Sequence, residues 1–280
     1  MRMRGVLIGT ALATAGAVAL LRIRAWKDTW GVDAEEASRR LPGDDVVDAA
    51  TGGETRGITI DAPPDAVWPW LPQMGYGRAG WYSYDQLDQR GRSADEVVDA
   101  WQTLAVGDVV PTHPGGGFEV AAIDRGLSLV LRSDTALVVA QAEAADRAAA
   151  GLETATAGVR ASGAMLSRTP SEYAASWAFV LEPLDGGRTR LIERFRIRFS
   201  EGGIGSRSFL PLLGFGVFVM MQKQMDGIRV RAERLARARR QVATTEPMEP
   251  TVEPGATPPP TPDEALVAAG IGRSVERVRA

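Results

Sequence analysis

Apolar and polar positions alternate along several short stretches of this chain. Thr55 to Ile60 (TRGITI) sets Ile58 and Ile60 two apart, the period of a half-buried strand. Val109 and Val110 lead into a strand ending at Pro111. The Gly115-Gly116-Gly117 run beyond it precedes no helix, so it reads as a hairpin connection and not a phosphate-binding loop. Phe118 to Ile123 and Leu127 to Arg132 follow as strands joined by Asp124-Arg125-Gly126, with Leu127, Leu129 and Leu131 on one face. Tyr173 to Leu181 puts Trp177, Phe179 and Leu181 on one face. Pro183 to Gly187 (PLDGG) is a hairpin turn with a strong Asp-Gly signal, and Thr189 to Phe199 (TRLIERFRIRF) returns as the last strand. There Leu191, Phe195, Ile197 and Phe199 share one side, and Arg190, Arg194, Arg196 and Arg198 the other. Glu193 falls on the apolar side.

The helical period appears late in the chain. Val217, Met221, Met225, Ile228, Ala232 and Leu235 recur at steps of four and three, one face of a long helix. Phe209 to Met221, interrupted by Pro211, Gly214 and Gly216, reads as its buried start, too short to span a bilayer. Arg234, Arg237, Arg239 and Arg240 at its end suit the helix dipole. Shorter helices are predicted over Asp33 to Leu41, Ala66 to Gln73 and Ser93 to Ala100, the last with Ser93 and Glu96 as a capping box. Residues 134–171 are Ala-rich without steady period and read as a poorly ordered insertion, in which Gln141 to Ala150 alone has helical propensity.

The two ends differ from this middle. Gly5 to Leu21 carries no charge and is flanked by Arg2, Arg4 and then Arg22, Arg24 and Lys27, so residues 1–27 read as a transmembrane anchor with basic flanks. A cleaved signal peptide is the rival, since Ala11-Leu12-Ala13 and Ala13-Thr14-Ala15 resemble cleavage sites. The flanking cations nearly tie; those directly after the run lean toward a cytoplasmic domain. Trp26 and Trp30 suit headgroup depth, and 28–54 reads as a juxtamembrane linker. Residues 242–280 form a Pro-rich tail that cannot pack.

At 280 residues and 45% apolar, one domain with extensions fits. A net charge of −3 argues against a nucleic-acid binder, and the absence of Cys removes disulfides and thiolate chemistry. No cofactor or metal is expected.

Ala62 to Asp85 (APPDAVWPWLPQMGYGRAGWYSYD) concentrates Trp68, Trp70, Trp81, Tyr76, Tyr82 and Tyr84. A strand, then this phrase, then TRLIERFR, resembles the START-like (SRPBCC, polyketide cyclase/dehydrase-like) superfamily, and within it bacterial membrane-anchored proteins. The resemblance covers residues 55–241. It implies an α+β helix-grip fold: a curved antiparallel sheet around the long C-terminal helix, with a hydrophobic cavity between them. The residues then expected to line the cavity are Trp68, Trp81, Tyr82, Tyr84, Asp85, Trp101, Trp177, Phe179, Glu193, Phe195, Met221 and Met225, with Met220 beside them as an adaptable wall.

A carboxylate facing such a cavity is costly unless paired. Glu193 therefore hydrogen-bonds a partner or a ligand, unless a bulge shifts its register or a rim arginine takes it. The four arginines read as an exposed strand face opposed by acidic neighbours, or as a basic patch on anionic lipid. His113, the single histidine, reads as a loop residue. The expected function is membrane-tethered binding of a hydrophobic small molecule, a lipid or an isoprenoid-like compound. Its rivals are a cyclase- or dehydrase-type enzyme using Glu193, Asp85, Tyr84 or His113 as acid or base, and a structural or regulatory module.

Overall fold

The computed structural model describes residues 21–88, 91–150, 172–199 and 206–245. The chain forms two compact units, Met1–Arg239 and Arg240–Ala280; of the second, residues 240–245 are described and are helical. In the first, α1 covers residues 21–28. Then come α2 (Ala34–Ser38), β1 (Gly52–Ile60), α3 (Pro64–Val67), α4 (Asp85–Asp88), β2 (Val109–His113), β3 (Gly116–Asp124), β4 (Ser128–Asp134), α5 (Thr135–Ala150), β5 (Tyr173–Leu184), β6 (Arg188–Phe199) and α6 (Ser206–Thr245).

The strands form one antiparallel sheet in the order β1-β6-β5-β4-β3-β2. The first strand therefore pairs with the last. One hydrophobic cluster joins Leu129, Leu131, Phe179 and Leu191 of the sheet to Met221, Met225, Ile228 and Ala232 of α6. This is the α+β grip that the resemblance implies. The helix face begins at buried Phe218 and not at Val217, which is exposed. β6 keeps unbroken register with β1 and β5, so no bulge moves Glu193 off the inner face.

The outer face corrects the reading of the arginines. Residues 28–54 pack along the sheet, with Leu41 buried against Val180 and Ile192. Arg194 is buried: Nη1 donates to Arg39 O and Asp44 Oδ2 (2.7 Å each), Nη2 to Glu36 O and Ala37 O (2.9 Å each), and Nε to Thr55 Oγ1 (3.0 Å). A guanidinium thus satisfies the carbonyls that the end of α2 leaves open. Arg190 pairs with Glu36, and Arg39 with Glu182. Only Arg198 of the four is exposed.

Three local expectations also change. Ser93 to Ala100 is not a helix; a single 3₁₀ turn covers Asp99–Trp101. Ser93 Oγ is held by Asp85 Oδ1 (2.5 Å), while the Gln73 amide takes Val98 N–H and donates to Glu96 O, so the backbone is satisfied without a helix. Ala66 to Gln73 breaks into α3 and a 3₁₀ turn at Trp68–Trp70, because Pro69 lies inside it. The helical propensity of Gln141 to Ala150 is realised in a longer helix, Thr135–Ala150, which begins inside the stretch expected to be poorly ordered, with Asp134 Oδ1 accepting from Leu137 N–H (2.8 Å). Residues 151–171 and 246–280 lie outside the described residues, as does the apolar run 5–21 except for Leu21. Among the described residues no helix is long and apolar enough to cross a membrane.

Candidate functional site

Strand pairing sets two inner rows side by side. One runs Arg56, Glu193, Phe179, Leu129; the next runs Glu54, Phe195, Trp177, Leu131. α6 brings Phe218 and Met221 to the Arg56 end. The result is a small polar pole inside an apolar interface.

Glu193 is 1% exposed. Its Oε1 accepts from Trp177 Nε1 at 2.6 Å, and its Oε2 has no hydrogen-bond partner among the described residues. Burial pushes its pKa up to about 7, against the opposing pull of the Arg56 charge and the Trp177 hydrogen bond. Arg56 is equally buried. It forms an ion pair with Glu54, lies against Met221 Sδ, and sits 5.3 Å from the centroid of the Phe218 ring. Its Nε is unpartnered among the described residues, and burial draws its pKa down against the charges of Glu193 and Asp28. Glu54 also pairs with Lys27, which meets Asp28 at 2.6 Å. A run of charges thus leads from α1 to the buried carboxyl.

The apolar wall is aromatic. Trp81 stacks on Trp177 at 5.3 Å and 16°, with Phe118 edge-on at 5.5 Å and Phe179 tilted at 5.0 Å. The Gly75↔Gly80 bridge closes the loop that delivers Trp81. Both glycines have positive φ, at 131° and 82°, which a side chain would resist.

The other residues expected at the site are placed as follows. Met221, Met225 and Phe179 are buried in the same cluster as the tryptophans; Phe195 is half-buried against it and Trp68 lies within it. Tyr82, at φ 58°, is locked: its hydroxyl donates to Trp70 O (3.1 Å) and accepts from Gln73 Nε2 (2.8 Å), with Arg231 over the ring. Burial raises the Tyr82 pKa well above the ordinary phenol value. Tyr84 and Trp101 are exposed, the latter under the Arg78 guanidinium at 4.6 Å. Asp85 is held by Ser93. Asp85 and Tyr82 border a separate polar groove of about 260 Å³, shared with Lys223, Asp226 and Arg231. His113 ends β2 beside Thr112 Oγ1 (2.9 Å), and burial lowers its pKa. Among the described residues none of Tyr84, Asp85, Trp101 and His113 has a hydrogen bond, ion pair or ring contact with Glu193, Arg56 or Trp177.

Arg56, Glu54, Lys27 and Phe218 complete the pole, and Phe118 the aromatic wall; all five lie outside the expected set. For Arg56 and Glu54 a signal exists, since both share the parity of Ile58 and Ile60 in β1. Among the described residues no group of three or more His, Cys, Asp or Glu side chains could hold a metal. The chemistry available is that of a carboxyl whose pKa burial pushes up to about 7, with one oxygen that has no hydrogen-bond partner among the described residues.

No family model and no curated protein matches the chain. Solved structures similar to it include a protein of Helicobacter pylori, at 10% identity over 70% of this chain and 96% of that one, with a TM-score of 0.39. A Mesorhizobium loti protein is 12% identical over 65% and 98%, with a TM-score of 0.33. A Polyketide_cyc-like protein of Corynebacterium glutamicum is 14% identical over 70% and 96%, with a TM-score of 0.25. Strand order β1-β6-β5-β4-β3-β2, with the C-terminal helix α6 packed on the sheet, gives the chain an α+β helix-grip fold.

Proposed function

We propose that the domain binds an apolar small molecule of lipid or polycyclic type between the sheet and α6, with the molecule's polar group at Glu193 and Arg56. The observation that carries this reading is the Oε2 of a buried Glu193, which has no hydrogen-bond partner among the described residues. A buried acceptor without a partner costs about 1–3 kcal/mol, a cost that a ligand hydrogen bond removes. The stacked Trp81 and Trp177, with Met221 beside them, offer adaptable apolar surface for the remainder. In this reading the run Gly5 to Leu21 tethers the domain, and Arg22, Arg24 and Lys27 favour its cytoplasmic side.

A catalytic reading draws on the same carboxyl, whose pKa of about 7 suits proton transfer. Binding is preferred because the other acid/base candidates make no contact with Glu193 among the described residues. Native mass spectrometry of the full chain, released in mild detergent, tests the proposal. A discrete added mass that organic extraction removes supports it; a bare protein that takes up none of a panel of fatty and polycyclic compounds contradicts it.

A further inference from the structure

The outer end of the polar pole carries an exposed apolar surface. Trp26 of α1 is 54% exposed and Phe215 of α6 47%, yet each packs on buried Phe218, with ring centroids 5.3 and 6.0 Å apart. Ile23, one helical turn before Trp26, is exposed as well. Arg22 and Arg24, both exposed, stand on either side of Ile23 in α1; Arg24 reaches Asp28 at 3.5 Å, and Arg22 has no ion pair among the described residues. Such a patch beside cations needs a partner that is both apolar and anionic.

We infer that Ile23, Trp26 and Phe215, with Arg22 and Arg24 beside Ile23 in α1, form a surface that docks on an anionic lipid bilayer. The inference rests on the tethering in the proposed function and not on the ligand. The uncharged run ends at Leu21, five residues before Trp26. At ~1.5 Å per residue, Trp26 then stands about 7.5 Å beyond the end of that run. A headgroup layer is roughly 5–8 Å deep on each side of the hydrocarbon, so Trp26 falls within it. α1 is not free to swing away: Lys27 is paired with Glu54 on the sheet, and Trp26 and Trp30 both rest on Phe218. Phe215 is therefore carried to the same depth. Phe218 backs this surface on its inner side, where its ring faces the Arg56 guanidinium. The docked face and the polar pole are one ring apart.

The chain has no cysteine, so one can be introduced and labelled. Full chains bearing Phe215→Cys or, as control, Thr59→Cys are labelled with an environment-sensitive fluorophore. They are reconstituted in vesicles of phosphatidylcholine and phosphatidylglycerol, with and without brominated acyl chains. Flotation reports the tether. The inference expects the label at 215 to be quenched several-fold more than the label at 59, and the quenching to weaken when phosphatidylglycerol is omitted. Protein that floats while both labels stay unquenched overturns docking and leaves the tether standing. Protein that does not float overturns both. Disulfide cross-linking between copies of the unlabelled Phe215→Cys chain, when its labelled form is not quenched, assigns the patch to a second chain and also overturns the inference.

Discussion

Trp177 donates its indole N–H to Glu193 Oε1 at 2.6 Å, from a ring that is itself stacked on Trp81. The one carboxyl on the apolar side of β6 is thereby tied to the aromatic wall, while its second oxygen stays free among the described residues. This hydrogen bond fixes the carboxyl's direction; burial sets its proton affinity.

Glu193 makes stability depend on pH in a defined direction. Its pKa is about 7 in the fold, against an ordinary 4.5. Between those values the folded chain holds the proton that the unfolded chain has lost, so unfolding free energy falls as pH rises through this window and levels off above it. The loss is on the order of 3 kcal/mol. Urea titrations across the window are expected to show this slope. Glu193→Gln should flatten it and be the more stable protein at the alkaline end.

Arg194 clasps residues 28–54 to the sheet. Arg194→Ala removes the guanidinium from the carbonyls of Glu36, Ala37 and Arg39 and leaves Asp44 with only Leu41 N–H and Arg196, and is expected to cost about 2–5 kcal/mol. Arg198→Ala, at the exposed end of the same row, should stay within about 0.5 kcal/mol. Chemical denaturation of the two variants, side by side, checks the difference.

Gly227 marks where α6 crosses the loop. A Cβ there would lie 2.1 Å from Tyr82 O, and Tyr82 already holds a left-handed φ of 58°. Gly227→Ala is expected to lower stability by about 1–3 kcal/mol or more, read as a fall in the denaturation midpoint.

The stack of Trp81 on Trp177 should couple the two indoles optically. An exciton couplet in the far-ultraviolet circular dichroism is expected, and either Trp81→Phe or Trp177→Phe should abolish it. A couplet that survives both substitutions would mean that the rings do not stack.

Local period makes part of this legible in the sequence. Alternation in Thr189 to Phe199 marks Glu193 as the inward carboxyl, and the fours and threes from Met221 to Ala232 mark the gripping face. The rest depends on partners far along the chain. The arginines of β6 look exposed by alternation, yet Arg194 is covered by Glu36, Ala37, Arg39 and Asp44, some 150 residues earlier. Ser93 and Glu96 have capping-box spacing, but Gln73 supplies the backbone's partners and no helix forms. Arg56 is readable by parity with Ile58; its charge hides it, since a buried guanidinium makes sense only once Glu54 and Glu193 are seen beside it.

The central claim is that a ligand sits against the Trp81–Trp177 wall beside Glu193. Photo-cross-linking tests it most directly: the full chain in vesicles, a diazirine-bearing hydrophobic probe, brief illumination, and mass mapping of the modified peptides. The expected result is modification in the peptides that hold Trp81, Trp177 and Met221, competed away by unlabelled compound. Modification confined to exposed residues such as Trp26 and Phe215, with the inner face untouched, would contradict it.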